Sequence, residues 1–380
     1  MGRISFNEPG LLGKELEYVR VAIGSKQLSG DGVFTGKCKA LLEQSLGVEC
    51  ALLTPSCTAA LELAALLLDI KPGDEVVVPS FTFVSTVNAF VLRGAKPVFV
   101  DIRYDTLNLD ERLVEAAISR RTRVVVPVHY AGVGCEMNSL VSISEDHGIA
   151  LVEDNAHGLF GQYQGQYLGT FGCMAAQSFH ETKNFSCGEG GALLVNDLEL
   201  VQRAEVLRDK GTDRKRFLRG EVDKYTWQDV GSSFLPSEIQ AAYLFAQLEE
   251  RRRIQEKRRK IWTYYARELR AWSDRHGVCI PTVPAACEQS FHLFFLILPS
   301  QTVRDAMLAH LNRNEVNAVF HYVPLHVSAM GRRFGWKEGD CPVTEDVSKR
   351  LLRLPFHVNL TDADLRRVVD EVMRFRFPAN

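Results

Sequence analysis

Between about residue 50 and residue 155 the chain alternates helix-forming and strand-forming segments, and this alternation is its strongest constraint on fold. Ala59–Leu68 is dense in strong helix formers and is stopped by Lys71-Pro72-Gly73-Asp74. Glu75–Pro79 is a short β-branched strand, Val84–Arg93 a helix ended by Gly94, and Pro97–Asp101 the next strand. Asp110–Ser119 reads as helix, and Arg123–Val128 is apolar enough for a strand buried on both faces. A helix over Ser139–His147 closed by Gly148 and a strand over Ile149–Val152 complete the series. Strands separated by helices of this length predict a parallel sheet with helical crossovers, in which ligands sit beyond the carboxyl ends of the strands.

Beyond residue 155 the pattern loosens. A glycine-rich Gly188-Glu189-Gly190-Gly191 precedes a strand over Ala192–Val195, and long helical sequence runs through Glu238–Trp272. The basic residues of that run, Arg251 to Lys260, are interleaved with Glu249, Glu250 and Glu256, the pattern of a solvated helix. Pro281 and Pro284 mark a change of texture. After them Phe291–Leu298 and Val316–Tyr322 read as strands, with Thr302–Asn312 and Asp362–Phe375 as helices. A large domain over 1–275 and a small α+β domain over 276–380 are therefore expected, as suits a chain of 380 residues.

Charge and composition exclude several classes. Forty-five Lys+Arg against 47 Asp+Glu, a formal net charge of -2, gives no global field toward nucleic acid or an anionic membrane. No apolar run approaches the ~18 residues that would read as a membrane span, and Met1–Pro9 lacks the apolar core of a signal peptide, so a cytoplasmic location is expected. The nine cysteines form no Cys-x-x-Cys pair and no zinc-site spacing, as expected of reduced thiols and no metal.

The polar residues following the strands carry the candidate chemistry. Thr54-Pro55-Ser56-Cys57-Thr58 leads into a helix, whose free N–H groups suit a phosphate; Ser and Thr there are also ordinary N-caps. Asp154 follows an apolar strand, where a carboxylate needs a cationic partner or a capping role, and Glu153, Asn155 and His157 lie beside it. Lys183, five residues after Ser178, is either a surface charge or a desolvated amine able to form a Schiff base. Phosphate cradle, aromatic platform at Phe83, acidic ring partner and lysine together form the set that pyridoxal phosphate needs. No Gly-x-Ser-x-Gly, P-loop or His-Glu-x-x-His motif is present, and the glycines at 188–191 lack the strand–helix setting of a dinucleotide fold.

Three motifs in order, Ser80-Phe-Thr-Phe-Val-Ser-Thr-Val-Asn-Ala89, Val152-Glu-Asp-Asn-Ala-His157 and Ser178-Phe-His-Glu-Thr-Lys183-Asn with Gly188–Gly191, resemble the DegT/DnrJ/EryC1/StrS family of pyridoxal-phosphate-dependent nucleotide-sugar aminotransferases. The resemblance implies an aspartate-aminotransferase-type fold, α/β with a mixed, mostly parallel sheet and a small C-terminal domain, working as a homodimer with the site at the subunit interface. It implies that Lys183 forms the Schiff base, Asp154 pairs with the pyridine nitrogen, His157 bonds the 3-hydroxyl and Phe83 stacks on the ring. Ser178 with the Cys57 and Thr58 backbone would hold the phosphate.

Many relatives complete that phosphate site with an Asn from the partner subunit. The corresponding segment here reads Gly231-Ser232-Ser233-Phe234-Leu235, with Ser233 as the remaining donor. The family also contains dehydratases with histidine in place of the lysine, so the presence of Lys183 favours transamination.

More narrowly, Thr54–Thr58, Phe179–Asn184 and Val222–Trp227 resemble the members that aminate dTDP-4-keto-6-deoxyglucose with glutamate. Their product is a dTDP-4-amino-4,6-dideoxyhexose of galactose configuration for lipopolysaccharide or common-antigen synthesis. Lys210, Arg214 and Arg219 are candidate cations for the nucleotide diphosphate, with Tyr322 and His326 as further substrate contacts. An aminotransferase for a 3-keto or a UDP- or GDP-linked sugar is the alternative, followed by a non-catalytic regulator on the same fold.

Overall fold

The apolar segments pair into strands whose order is set by their crossovers. In the computed structural model, which describes residues 2–378, they are in chain order β1 (Cys50–Thr54), β2 (Glu75–Pro79), β3 (Lys96–Val100), β4 (Thr122–Val125) and β5 (Ala150–Asp154). A two-residue hairpin of β6 (Gln162–Tyr163) and β7 (Gln166–Tyr167) follows, then β8 (Met174–Ser178), β9 (Gly191–Val195), β10 (Cys287–Glu288), β11 (Phe295–Ile297) and β12 (Leu351–Arg353). Met1, Ala379 and Asn380, at the ends of the two expected domains, lie outside the described residues.

Seven strands form one sheet in the order β1-β9-β8-β5-β4-β2-β3. The run from β8 to β3 is parallel, as the helical crossovers require, whereas β9 is antiparallel to both β8 and β1. The sheet is thus mixed and mostly parallel. The hairpin β6–β7 pairs with β10, and β11 pairs antiparallel with β12.

Helices cover the main sheet because its strands are apolar on both faces. The Cys57–Leu67 helix packs on β8 and β9 and against the Val84–Val91 helix, burying Leu61, Leu63 and Leu67 with four alanines. Burial of each such leucine is worth ~1.5–3 kcal/mol. A separate apolar cluster joins Ile261, Tyr265, Leu269 and Trp272 of the Arg251–His276 helix to Phe294, Leu296, Leu352 and Val368.

Several segments depart from their sequence reading for local reasons. Asp110–Ser119 forms only the 3-10 turn Glu111–Leu113 and a single α-turn, Val114–Ala117, and the Thr122 hydroxyl accepts the Ser119 N–H at 2.9 Å. Glu238–Trp272 is two helices, Glu238–Glu249 and Arg251–His276, divided at Glu250. Of Phe291–Leu298 only Phe295–Ile297 is strand: Phe291 has φ +54°, and the carbonyls of Phe291 and His292 are taken by the Arg258 guanidinium rather than a neighbouring strand. Val316–Tyr322 makes only isolated bridges, Val316 with Ile4 and Val319 with Arg353. The stretch 209–224, which holds the candidate cations Lys210, Arg214 and Arg219, contains the helix Arg214–Leu218.

Gly191 is the position where sheet and site meet. It lies in register with Thr54 of β1 on one side and Ser178 of β8 on the other, and a Cβ there would overlap the backbone of Ser56 and Cys57. Gly191→Ala is expected to cost about 1–3 kcal/mol in urea denaturation. Gly36→Ala, on an exposed helix face with open space around it, is expected to be neutral or to stabilise by up to about 1 kcal/mol.

Candidate active site

A cavity of about 760 Å³ opens where the parallel strands end. Its wall takes Ser56, Cys57 and Thr58 from beyond β1, Thr82–Thr86 from beyond β2, Asp154 and His157 from the end of β5, and Ser178 and Lys183 from the end of β8. The sequence-expected residues Cys57, Thr58, Phe83, Asp154, His157, Ser178, Lys183 and Tyr322 therefore come together.

Each is positioned by its element. Ser56 caps the Cys57–Leu67 helix, its Oγ accepting the Ala59 N–H at 3.1 Å, so the amides of Cys57 and Thr58 are left without intrahelical acceptors. The Thr58 hydroxyl bonds Ser85 Oγ at 2.7 Å. Asp154, 5% exposed, accepts the Thr86 hydroxyl at 2.7 Å and the Ala156 N–H at 3.1 Å. Lys183 lies in the loop between β8 and β9, which is held by the bonds Phe179 N–H to Gly190 C=O, Glu181 N–H to Gly188 C=O and Cys187 N–H to Phe179 C=O. Phe83, 58% exposed, starts the Val84–Val91 helix at the cavity wall.

The electrostatics favour neutral bases. Loss of solvation is the main cause that brings the Lys183 amine down to about 8, with Cys57 and Asp154 opposing the shift and the charge of Arg353 adding to it. His157 is pushed well below its ordinary value by burial and then by the charges of Lys183 and Arg353. Its ring stacks on His292 with centroids 4.1 Å apart, and its buried Nδ1 has no hydrogen-bond partner among the described residues. His292 is fixed by Asn184 Oδ1 at 2.9 Å from its Nδ1, and His321 by the Tyr130 hydroxyl at 2.7 Å.

Five expected residues do not line this cavity. His326 ties β2 to the C-terminal layer: its Nδ1 lies 2.6 Å from Ser80 Oγ and its Nε2 2.8 Å from Glu345. Lys210 pairs with Asp209 at 2.8 Å, Arg214 with Asp209 at 3.6 Å and Arg219 with Glu205 at 2.9 Å. Ser233 is exposed and bridges Asp209 through its backbone. Glu153, singled out beside Asp154, is structural: its carboxylate accepts the N–H groups of Gly169, Phe171 and Gly172 and faces His129 Nε2 at 2.9 Å.

Sequence reasoning missed Thr86, His292, His321 and Arg353, all on the cavity wall. The available signal for His292 and Arg353 was a polar residue inside an apolar run, Phe291-His292-Leu293-Phe294 and Leu352-Arg353-Leu354.

The residues present fit pyridoxal phosphate. The helix N-terminus offers free N–H groups to a phosphate. Among the described residues Asp154 has only neutral hydrogen-bond donors, in a nearly closed position, as suits a carboxylate awaiting a protonated ring nitrogen. The orphaned His157 Nδ1 suits a hydroxyl. Fold and site together define a lysine-based aminotransferase scaffold.

The model of the DegT/DnrJ/EryC1/StrS aminotransferase family matches residues 11–373, and the chain belongs to that family; pyridoxal phosphate is accordingly its cofactor. The spore coat polysaccharide biosynthesis protein SpsC of Bacillus subtilis is 33% identical over 335 residues, 86% of this chain and 85% of its own. The aminotransferase TlmJ from Streptoalloteichus hindustanus superposes with a TM-score of 0.90 at 32% identity, covering 98% of each chain. DesV of S. venezuelae, solved with a ketimine intermediate, gives 0.89 at 29% identity, again over 98% of each.

With a pKa near 8, about one Lys183 amine in ten is neutral at pH 7, against roughly one in three thousand at the ordinary lysine value. The rate at which cofactor-free protein captures pyridoxal phosphate, followed by visible absorbance, is expected to rise with pH to a midpoint near 8. A midpoint near 10 would show that the amine is solvated.

Proposed function

We propose that the chain transfers an amino group from glutamate to the C4 ketone of dTDP-4-keto-6-deoxyglucose, yielding 2-oxoglutarate and a dTDP-4-amino-4,6-dideoxyhexose of galactose configuration. The observation that carries the amino-transfer reading is Lys183, with its lowered pKa, on the same cavity wall as Asp154 and the free helix N-terminus. The choice of sugar rests on the motifs Thr54–Thr58, Phe179–Asn184 and Val222–Trp227, and the polysaccharide role in the name of SpsC agrees with an amino-sugar product.

The chemistry supplied by the bound cofactor is an electron sink for a carbon that loses its proton. Lys183 Nζ takes that proton from the donor carbon and delivers it in the second half-reaction, a role suited to an amine that is partly neutral near pH 7. Asp154 keeps the ring nitrogen protonated. The amides of Cys57 and Thr58 and the Ser178 hydroxyl hold the phosphate, Phe83 covers a ring face, and His157, neutral, meets the 3-hydroxyl. Tyr322, stacked on His321 with centroids 3.6 Å apart, borders the space for the sugar.

The working unit in this reading is a cytoplasmic homodimer with the site at the interface; no described helix is long and apolar enough to cross a membrane. Ser233, Lys210, Arg214 and Arg219 would then serve the partner's cavity, the serine at its phosphate and the cations at the nucleotide diphosphate. Support comes from the exposure of Tyr225 (51%) and Trp227 (81%) in that stretch, large rings suited to cover by a second chain. The division into units over 1–275 and 276–380 belongs to the same proposal, with the second half of the Arg251–His276 helix packing against the smaller unit.

Purified protein given glutamate and dTDP-4-keto-6-deoxyglucose is expected to form an aminated sugar nucleotide by mass, with NMR showing an axial C4 amine. Turnover confined to 3-keto or to UDP- or GDP-linked sugars would favour the alternative substrates. A colourless protein that takes up no cofactor would favour a non-catalytic role. Lys183→Ala is expected to abolish turnover and borohydride fixation of the cofactor. Asp154→Asn is expected to keep some cofactor and lose most of the rate, whereas full activity would require another partner for the ring nitrogen.

A further inference from the structure

Arg258, on the Arg251–His276 helix, is 3% exposed and does not line the cavity. Among the described residues no carboxylate stands within 4.0 Å of its guanidinium, and burial brings its pKa down to about 9, so the group stays charged near neutral pH. A buried charge with no counter-ion is costly to a fold. The group is held instead by the face of Phe356, 4.9 Å from the ring centroid, and by two backbone carbonyls, those of Phe291 at 2.9 Å and of His292.

Those carbonyls belong to a segment on which the site rests. Phe291 has φ +54°, a setting that bulky residues rarely adopt, so this turn needs a hold from outside. Ser290 Oγ donates to the His157 carbonyl, and the His292 ring stacks on that of His157. Asn184 Nδ2 donates to the Ser290 carbonyl at 2.7 Å, which turns its Oδ1 toward His292 Nδ1 at 2.9 Å. An amide oxygen only accepts, so His292 carries its proton on Nδ1. One hydrogen bond from Arg258 to His292 and one from His292 to Asn184 thus join the guanidinium to the residue beside the reacting lysine.

The groups whose charge acts on the Lys183 amine are Cys57, Asp154 and Arg353, and His157, His292 and His321 feel the lysine in turn. The charge of Arg258 acts on His292 and His357 instead, so it reaches Lys183 through position and not through its field. We propose that Arg258 is a positioning residue for the reacting amine: by gripping the Phe291 and His292 carbonyls it fixes His292 as the donor to Asn184 and so keeps Lys183 withdrawn from water. The inference rests on the amino-transfer reading above.

The test follows capture of pyridoxal phosphate by cofactor-free protein, read by visible absorbance against pH, beside thermal unfolding. Arg258→Met keeps a stem of similar reach without the charge. Its capture midpoint is expected to move from near 8 toward the value of about 10 of a solvated lysine, and each pH unit of that move lowers the rate at pH 7 about tenfold. His292→Phe keeps a ring against His157 but cannot donate to Asn184, and is expected to move the midpoint in the same direction. Arg258→Lys keeps the charge and can reach one carbonyl, so its midpoint should fall between those of wild type and Arg258→Met. The double variant Arg258→Met/His292→Phe should be slower than the slower single variant by no more than about twofold, since both changes act on one path.

A midpoint left near 8 in either Arg258→Met or His292→Phe would overturn the proposal whatever the loss of thermal stability, as would losses that multiply in the double variant. If Arg258→Met does not fold, His292→Phe decides alone: a raised midpoint supports the proposal and an unmoved one overturns it. Capture needs neither amino donor nor keto sugar, so failure of the wild type to aminate any sugar would defeat the substrate reading and leave this result standing.

Discussion

The desolvation of the Lys183 amine is the constraint on which the site depends. A lysine that is solvated stays charged near neutral pH and neither attacks a carbonyl nor takes a proton from carbon. Holding it in the cavity requires a loop that cannot swing out, and the bonds closing the β8–β9 connection supply this, with Gly188 and Gly190 providing two of the acceptors. The neighbouring residue is the second anchor: Asn184 donates to the Ser290 carbonyl at 2.7 Å and meets His292 Nδ1. The loop is thereby fixed to the histidine that stacks on His157, so nucleophile and cofactor-facing ring share one support.

Strand order does the rest. Because β9 runs antiparallel between β1 and β8, the carboxyl ends of β1 and β8 meet at its first residue, Gly191, and the helix beginning at Cys57 stands beside Ser178. Parallel pairing of β5 with β8 sets Asp154 opposite Ala176, one strand away from the lysine loop. Three groups spread along the chain from Cys57 to Lys183 are assembled by backbone register, and a side chain at Gly191 would displace the helix N-terminus from it.

How much of this could be read from sequence follows the range of the interactions. The alternating segments from β1 to β5 were legible because local propensity and burial agree there, and Asp154, Ser178 and Lys183 because a costly polar residue after an apolar strand is conspicuous. The antiparallel insertion of β9 was not legible, since neither propensity nor periodicity specifies a strand's neighbour. The strand ends at Phe291 and Val316 were overestimated for a related reason: the Arg258 guanidinium, reaching from a distant helix, claims the Phe291 and His292 carbonyls that a ladder would have used. The bonds that hold His326 to Ser80 and Glu345, 246 and 19 residues away, are tertiary and leave no mark in the local sequence.

The near-zero net charge of the chain conceals a locally positive interior. Among the described residues, Lys183 and Arg353 share the cavity wall with a single nearly buried carboxylate, Asp154, and with His157, His292 and His321, all pushed well below their ordinary values chiefly by burial. Two cations in this space make further protonation expensive, so the histidines stay neutral and each keeps one nitrogen able to accept a hydrogen bond. An anionic ligand entering such a space reverses the balance. It compensates the guanidinium and raises the proton affinity of the lysine beside it, so that charge on the ligand and protonation of the reacting amine are coupled within one cavity.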